Sequence, residues 1–167
     1  MITGLFRDSE SVERAYEVVS QRGYGTGDIN VVMSDDTRKR YFSDDRQIDT
    51  ELGRKVAEGG ELGGPMGGTI GTIIPAIIAV GVVALPGLGL ILAGPVAVAL
   101  AAAGAAGLTF GLIGALSDWG IPEERAKQYE TGIHDGGILM GVTPRSDEDA
   151  RHFEQQWEAI GGQHLHS

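Results

Sequence analysis

The chain is 167 residues long, carries a formal charge of −10 and contains no cysteine, which fits one domain, or one domain with an insertion, and excludes disulfides, zinc–thiolate sites and thiol nucleophiles. Its charge is unevenly spread: residues 1–61 hold 9 basic and 13 acidic side chains, residues 118–167 hold 4 and 10, and the 56 residues between them hold none. Both charged parts are acidic, so nucleic acid is not expected as a partner and any membrane contact has to be hydrophobic.

The opening residues show no basic region followed by an apolar run, so no secretory signal is expected and a cytoplasmic location is. Residues 2–6 read as a short strand. Asp8 or Ser9 then caps a helix with Glu10 and Glu13 in its first turn, and Val12, Ala15, Tyr16 and Val19 form its buried stripe. Gly23 ends this helix, Gly25, Gly27 and Asp28 make a turn, and residues 29–33 form a second strand. Residues 34–61 are polar and mixed in charge and read as a loop leading to a short helix at 50–58, with Gly59 and Gly60 as a boundary. After the uncharged stretch, Pro122 opens a helix with Ala126, Tyr129 and Ile133 inward, and Gly136-Gly137 closes it. Residues 138–142 are a third strand, Pro144 breaks it, and Ser146 opens a helix that buries Ala150, Phe153, Trp157 and Ile160. Gly161-Gly162 ends that helix, and residues 163–166 make a last edge strand. With the middle removed, the order is β-α-β followed by β-α-β. The expected fold is therefore α+β, a ferredoxin-like split β-α-β sandwich, with an apolar hairpin inserted between strands two and three. Its parts are residues 1–61 (first half and linker), 62–117 (hairpin) and 118–167 (an amphipathic helix and the second half).

The uncharged insertion divides into two arms. Residues 67–85 and 95–117 are 19 and 23 residues long, roughly 28 and 34 Å as helices, and a bilayer core is about 30 Å thick. The link at 86–94 has no charge, Asn, Asp or Ser, which suits a tip buried in a lipid leaflet or inside an assembly. Glycines recur along helix faces: Gly60, Gly64, Gly68 and Gly71 on the first arm, and Gly104, Gly107, Gly111 and Gly114 on the second. Such rows let helix backbones approach closely, so Gly64, Gly68, Gly71, Gly104, Gly107, Gly111 and Gly114 are the expected self-association residues. Trp119, beside Asp118, reads either as an interfacial anchor or as core packing. Insertion into a membrane, burial in a soluble oligomer or filament, and a self-contained core are the three alternatives for this segment.

Other motifs carry bland readings. The Gly23-x-Gly25-x-Gly27 run follows a helix and precedes a strand, the wrong order for a phosphate loop, and reads as a turn. Asp35-Asp36 and Asp44-Asp45 lack the spacing of a calcium loop, and Arg38-Lys39-Arg40 reads as a salt-bridged surface. The histidines are His134, His152, His164 and His166; of these His164-x-His166 could share one side of a strand, but a metal site there needs further ligands. No catalytic residue, metal or cofactor is expected.

Three stretches carry a resemblance: Ile2-Thr-Gly-Leu-Phe-Arg-Asp, Ser11-Val-Glu-Arg-Ala-Tyr, and Tyr24 with Asp28-Ile-Asn-Val-Val-Met-Ser. They resemble the general-stress-protein domain of the heat-induced YflT type. The glycine- and alanine-rich middle and the tail from Gly120 to Val142 are similar to low-temperature-induced stress proteins. This likeness implies a bacterial stress-associated protein and carries no mechanism. The function expected is non-catalytic: insertion of the apolar hairpin into a membrane, or self-assembly through it into a ring or filament, with itself or membrane lipid as partner. Arg54, Lys55, Arg125 and Lys127 near the hairpin ends agree with a cytoplasmic side. A small-ligand-sensing domain is the third alternative.

Overall fold

The computed structural model describes residues 1–42, 77, 81–85, 89–103, 114, 116–117 and 120–166. Within them the chain is an α+β domain. Its elements are β1 (Ile2–Phe6), α1 (Ser9–Ser20), β2 (Ile29–Ser34), α2 (Asp35–Phe42), β3 (Val82–Leu85), β4 (Leu90–Ala93), α3 (Pro95–Ala103), α4 (Glu123–His134), β5 (Ile138–Val142), α5 (Asp147–Ile160) and β6 (Gln163–His166). The strands form one six-stranded sheet in the order β3-β4-β2-β5-β1-β6, and every neighbouring pair is antiparallel.

Period-two alternation sorts the strands' side chains to two faces. Ile2 and Phe6 of β1, Ile29, Val31 and Met33 of β2, and Ile138, Met140 and Val142 of β5 join Val12, Ala15 and Val19 of α1 and Phe153 and Trp157 of α5. Leu5, Val32, Leu90, Leu92 and Leu139 face the other way, against Ala97 of α3 and Ala126, Tyr129 and Ile133 of α4. Helices thus cover both faces. Trp157 is the largest wholly buried side chain. It meets Phe6 edge-on at 5.6 Å between centroids, and its indole N–H donates to the Ala15 carbonyl at 3.1 Å, tying α5 to α1.

The caps follow the sequence. The Asp8 carboxylate accepts from the Ser11 N–H at 2.7 Å, and the Ser146 hydroxyl accepts from the Asp149 N–H at 3.1 Å. Gly161 takes the left-handed conformation that ends α5 (φ 97°). Strands β1, β2, β5 and β6 and helices α1, α4 and α5 lie where the residue patterns place them.

Two expectations are corrected. The described beginning of the polar stretch after β2, Asp35–Phe42, is helical, not a loop. The Ser34 hydroxyl accepts from the Thr37 N–H at 3.0 Å, and Asp35 pairs with Arg38 (3.3 Å) and Lys39 (2.5 Å). Acids in the first turn and bases in the last complement the helix dipole, so the charge run is the surface of α2. The expected helix at 50–58 lies outside the described residues.

The second correction concerns the insertion. The residue pattern makes its 82–85 and 86–94 portions the end of one helical arm and an apolar tip. Val82–Leu85 and Leu90–Ala93 are instead a pair of strands, and β4 docks on β2. Backbone groups of an apolar segment need partners, and the open side of β2 supplies them. The valines of β3, the Leu-Ile-Leu of β4 and the left-handed Gly89 (φ 62°) suit strands and a turn. Leu90, Leu92, Ala97 and Leu116 are buried inside this chain, so part of the uncharged stretch fills the domain's own second core. Among the described residues of the two arms, Ile77, Pro95–Ala103, Gly114, Leu116 and Ser117 are helical as expected.

Gly94 and Asn30 make this docking possible. The buried Asn30 turns its amide oxygen outward to accept from the Val96 N–H at 2.9 Å, capping α3. Gly94 (φ 110°) sits so close to β2 that a β-carbon would lie 2.3 Å from the Ile29 carbonyl oxygen.

Candidate self-association edge

A sheet has two edges, and an open edge offers unpaired main-chain donors and acceptors to another strand. Among the described residues the two edges are β6 and β3, and they are built differently.

At β6 the register against β1 slips, with Leu5 opposite Gln163 and Thr3 opposite His166, leaving one extra residue in β6. His164 takes a left-handed conformation there (φ 53°). Side chains of α4 engage the strand's carbonyls: Arg125 donates to Leu165 (2.7 Å) and His164 (3.2 Å). The Tyr129 hydroxyl also donates to the His164 carbonyl and lies 3.0 Å from the Thr3 hydroxyl. Burial pushes the Tyr129 hydroxyl above its ordinary pKa. A bulge and a cation at the strand are devices that blunt an edge.

At β3 neither device is present among the described residues. The strand reads Val-Val-Ala-Leu, within the stretch that has no charged side chain. Val82 is 50% exposed and Val98, on α3, is 47% exposed. The two flank the edge. Val82 lies opposite Ala93, which belongs to the core on the α1–α5 side. Val98 touches the space beside Gly81, where a β-carbon would come within 2.5 Å of it, and its helix packs on the opposite face through Ala97.

The phase of the ladder is fixed by two hydrogen bonds. Gly94 N–H donates to Gly81 C=O at 3.0 Å, and Asp35 N–H to Gly89 C=O at 2.8 Å. With Val82 opposite Ala93 and Leu85 opposite Leu90, the alternation of an antiparallel pair turns the main-chain groups of Val83 and Leu85 toward β4. Those of Val82 and Ala84 point to the free edge.

Of the residues expected to drive association, Gly114 is helical and half-buried. Gly64, Gly68, Gly71, Gly104, Gly107, Gly111 and Trp119 lie outside the described residues, as do Gly60, Asp44, Asp45, Arg54 and Lys55. The glycine rows drew attention to helix packing. The signal for the edge was also present in the β-branched Val82-Val83 beside the Pro86-Gly87 turn chemistry, but a 3.6-residue reading passes over it.

Two polar clusters complete the surface. At one end, the buried Tyr24 hydroxyl donates to Asp149 (2.8 Å) and accepts from the Arg145 N–H (2.6 Å). The Arg145 guanidinium lies 4.3 Å from the Tyr24 ring centroid and donates to Asp28 at 3.0 Å. Arg22 reaches Asp149 at 2.6 Å. Hydrogen bonds from Arg22 and Tyr24 hold the Asp149 carboxyl below the usual carboxylate range, while burial pushes the Tyr24 hydroxyl up. This network joins the Gly23–Asp28 turn to the start of α5 and explains why that glycine run is a turn. At the other end, a cleft of about 240 Å³ is lined by Ser34, Thr37, Arg40, His134 and Asp135 among others. Its charged groups are all exposed. No group of three His, Asp or Glu among the described residues is arranged to hold a metal ion.

No protein-family model, curated protein or solved structure matches the chain.

Proposed function

We propose that this chain is a non-catalytic protein that associates with copies of itself through its uncharged segment, keeping the acidic body outside. The observation that carries this reading is the β3 edge: exposed valines and main-chain groups that meet no partner and no charged residue among the described residues, in a chain of net charge −10. Like-charged copies meet at least cost where they carry no charge, and an acidic exterior keeps the assembly dissolved.

The body is proposed to be the ferredoxin-like sandwich. The strand order β2-β5-β1-β6 and the packing of α1 and α5 together on one face support it, with β3, β4 and α3 added beside β2. The resemblance to general stress proteins extends this to a stress-associated role in a bacterial cytoplasm, and rests on the residues quoted above alone. Membrane insertion stands second. No helix among the described residues is long and apolar enough to cross a bilayer.

Light scattering behind size exclusion, on detergent-free full-length protein, tests the proposal. The expected mass is a multiple of 17.5 kDa that rises with concentration. A constant 17.5 kDa at every concentration would refute it.

A further inference from the structure

We infer that two copies join by pairing β3 with β3 antiparallel about a two-fold axis at Val83, making one continuous sheet across the pair. This rests on the self-association proposed above and specifies its geometry.

Three observations fix the arrangement. First, the main-chain groups that point away from β4 belong to Val82 and Ala84, by the ladder phase that the Gly94–Gly81 and Asp35–Gly89 hydrogen bonds set independently. Second, an antiparallel self-pairing places residue i opposite a fixed partner j, and only residues with free edge groups make hydrogen-bonded pairs. An axis at Val83 sets Val82 opposite Ala84 of the second copy and Ala84 opposite its Val82. All four outward N–H groups and all four outward C=O groups of the two short strands then have hydrogen-bonding counterparts. An axis at Ala84 instead sets Val82 opposite Pro86, which has no N–H to give. An axis at Val82 sets Ala84 opposite Val80, beyond the strand. Third, the opposite edge is bulged and engaged by Arg125 and Tyr129. A head-to-tail addition of β3 to β6, which would run on into a filament, therefore meets a blunted surface, and the two-fold pairing closes instead.

The occupant is a second copy for a further reason. The patch is neutral over the whole of β3 and α3 while the body is strongly acidic. A basic partner would be drawn to the body, and an acidic one has no cation on this patch to meet.

The absence of cysteine from the chain makes a clean test possible. In the inferred register the two Val83 residues form a non-hydrogen-bonded pair, with Cα atoms about 4.5 Å apart, within disulfide range. Val82 and its own copy are diagonal, at about 7–8 Å, outside it. Three full-length variants, Val83→Cys, Val82→Cys and Ala84→Cys, are oxidised and run on non-reducing gels. Val83→Cys is expected to form covalent dimer at least tenfold faster than the other two. Ala84→Lys, which places a charge at the edge, is expected to weaken association at least tenfold with an unchanged far-UV spectrum and with a melting temperature equal to wild type at concentrations where both are monomeric.

Cross-linking of Val82→Cys or Ala84→Cys at the rate of Val83→Cys, or a dimer that Ala84→Lys leaves intact, overturns the inferred pairing and leaves self-association standing. A Val83→Cys variant that gives no covalent dimer while scattering still reports a dimer does the same. A wild-type chain that is monomeric throughout removes the self-association itself, and the pairing with it.

Discussion

Docking of the uncharged segment on the sheet depends on Gly94, and three glycine-to-alanine changes test that dependence against each other. At Gly94 the backbone is left-handed (φ 110°), and an added β-carbon would lie 2.3 Å from the Ile29 carbonyl oxygen and 3.0 Å from the Asn30 Cα. Both obstacles are main chain of β2, which is held on its far side by β5 from Ile29 to Met33. Relief has to come from β4 pulling away, at the cost of its pairing with Val31–Ser34 and of the Asn30 cap on α3. The left-handed strain costs about 1–2 kcal/mol and the forced shift about 1–3 kcal/mol more, so Gly94→Ala should destabilise by about 3 kcal/mol. Gly89 shares the left-handed conformation (φ 62°) but has open space around it, so Gly89→Ala should cost only the strain, about 1 kcal/mol. Gly25 has neither a positive φ nor a neighbour within 4 Å, and Gly25→Ala should be neutral or stabilise by up to about 1 kcal/mol. Urea unfolding at one fixed protein concentration, with the slopes compared, reads all three. A Gly94→Ala variant within about 0.5 kcal/mol of Gly89→Ala would mean that β4 does not lie against β2 as described.

Asp149 is ionised at a lower pH in the folded chain than in the unfolded one, so its contribution is present above the unfolded value near 3.9 and fades as pH falls through the lower folded value. Asp149→Asn should therefore be less stable than wild type at pH 7, with a gap that narrows below about pH 4; denaturation at pH 7, 4 and 3 would show a constant gap if the network with Arg22 and Tyr24 were absent. Tyr129→Phe removes the hydroxyl that joins Thr3 to the His164 carbonyl. It should cost about 1–2 kcal/mol and speed amide exchange in β6 more than in β2, whereas equal changes in both strands would deny Tyr129 a role at that edge.

What the sequence made legible was local. Asp8, Ser146, Pro122 and Gly161 mark helix ends by chemistry that acts within a few residues. The strands at 2–6, 29–33 and 138–142 carry near-continuous apolar runs because helices cover both faces of the sheet. The part that misled was decided at a distance. Residues 82–93 are uncharged and glycine-punctuated, as a helix of a buried hairpin would be, and nothing nearby distinguishes the two. Their strand state comes from the open side of β2, about sixty residues upstream in sequence. The Asn30 cap is of the same kind, since its partner Val96 lies 66 residues away. At α2, the run of alternating charge reads as solvated loop, although Asp35 with Arg38 and Lys39 has the spacing of helical ion pairs and Ser34 stands ready to cap it. For the proposed association site, the missing charge singles out the stretch, and the ladder phase assigns the outward-pointing main-chain groups to Val82 and Ala84.

Amide hydrogen exchange at Val82 and Ala84, followed over a hundredfold range of protein concentration, tests the role of the β3 edge most directly. Protection at these two amides that grows with concentration, while Val83 stays protected throughout by its bond to β4, is the result expected. Exchange at Val82 and Ala84 that does not change with concentration, in samples where the particle mass does, would contradict it.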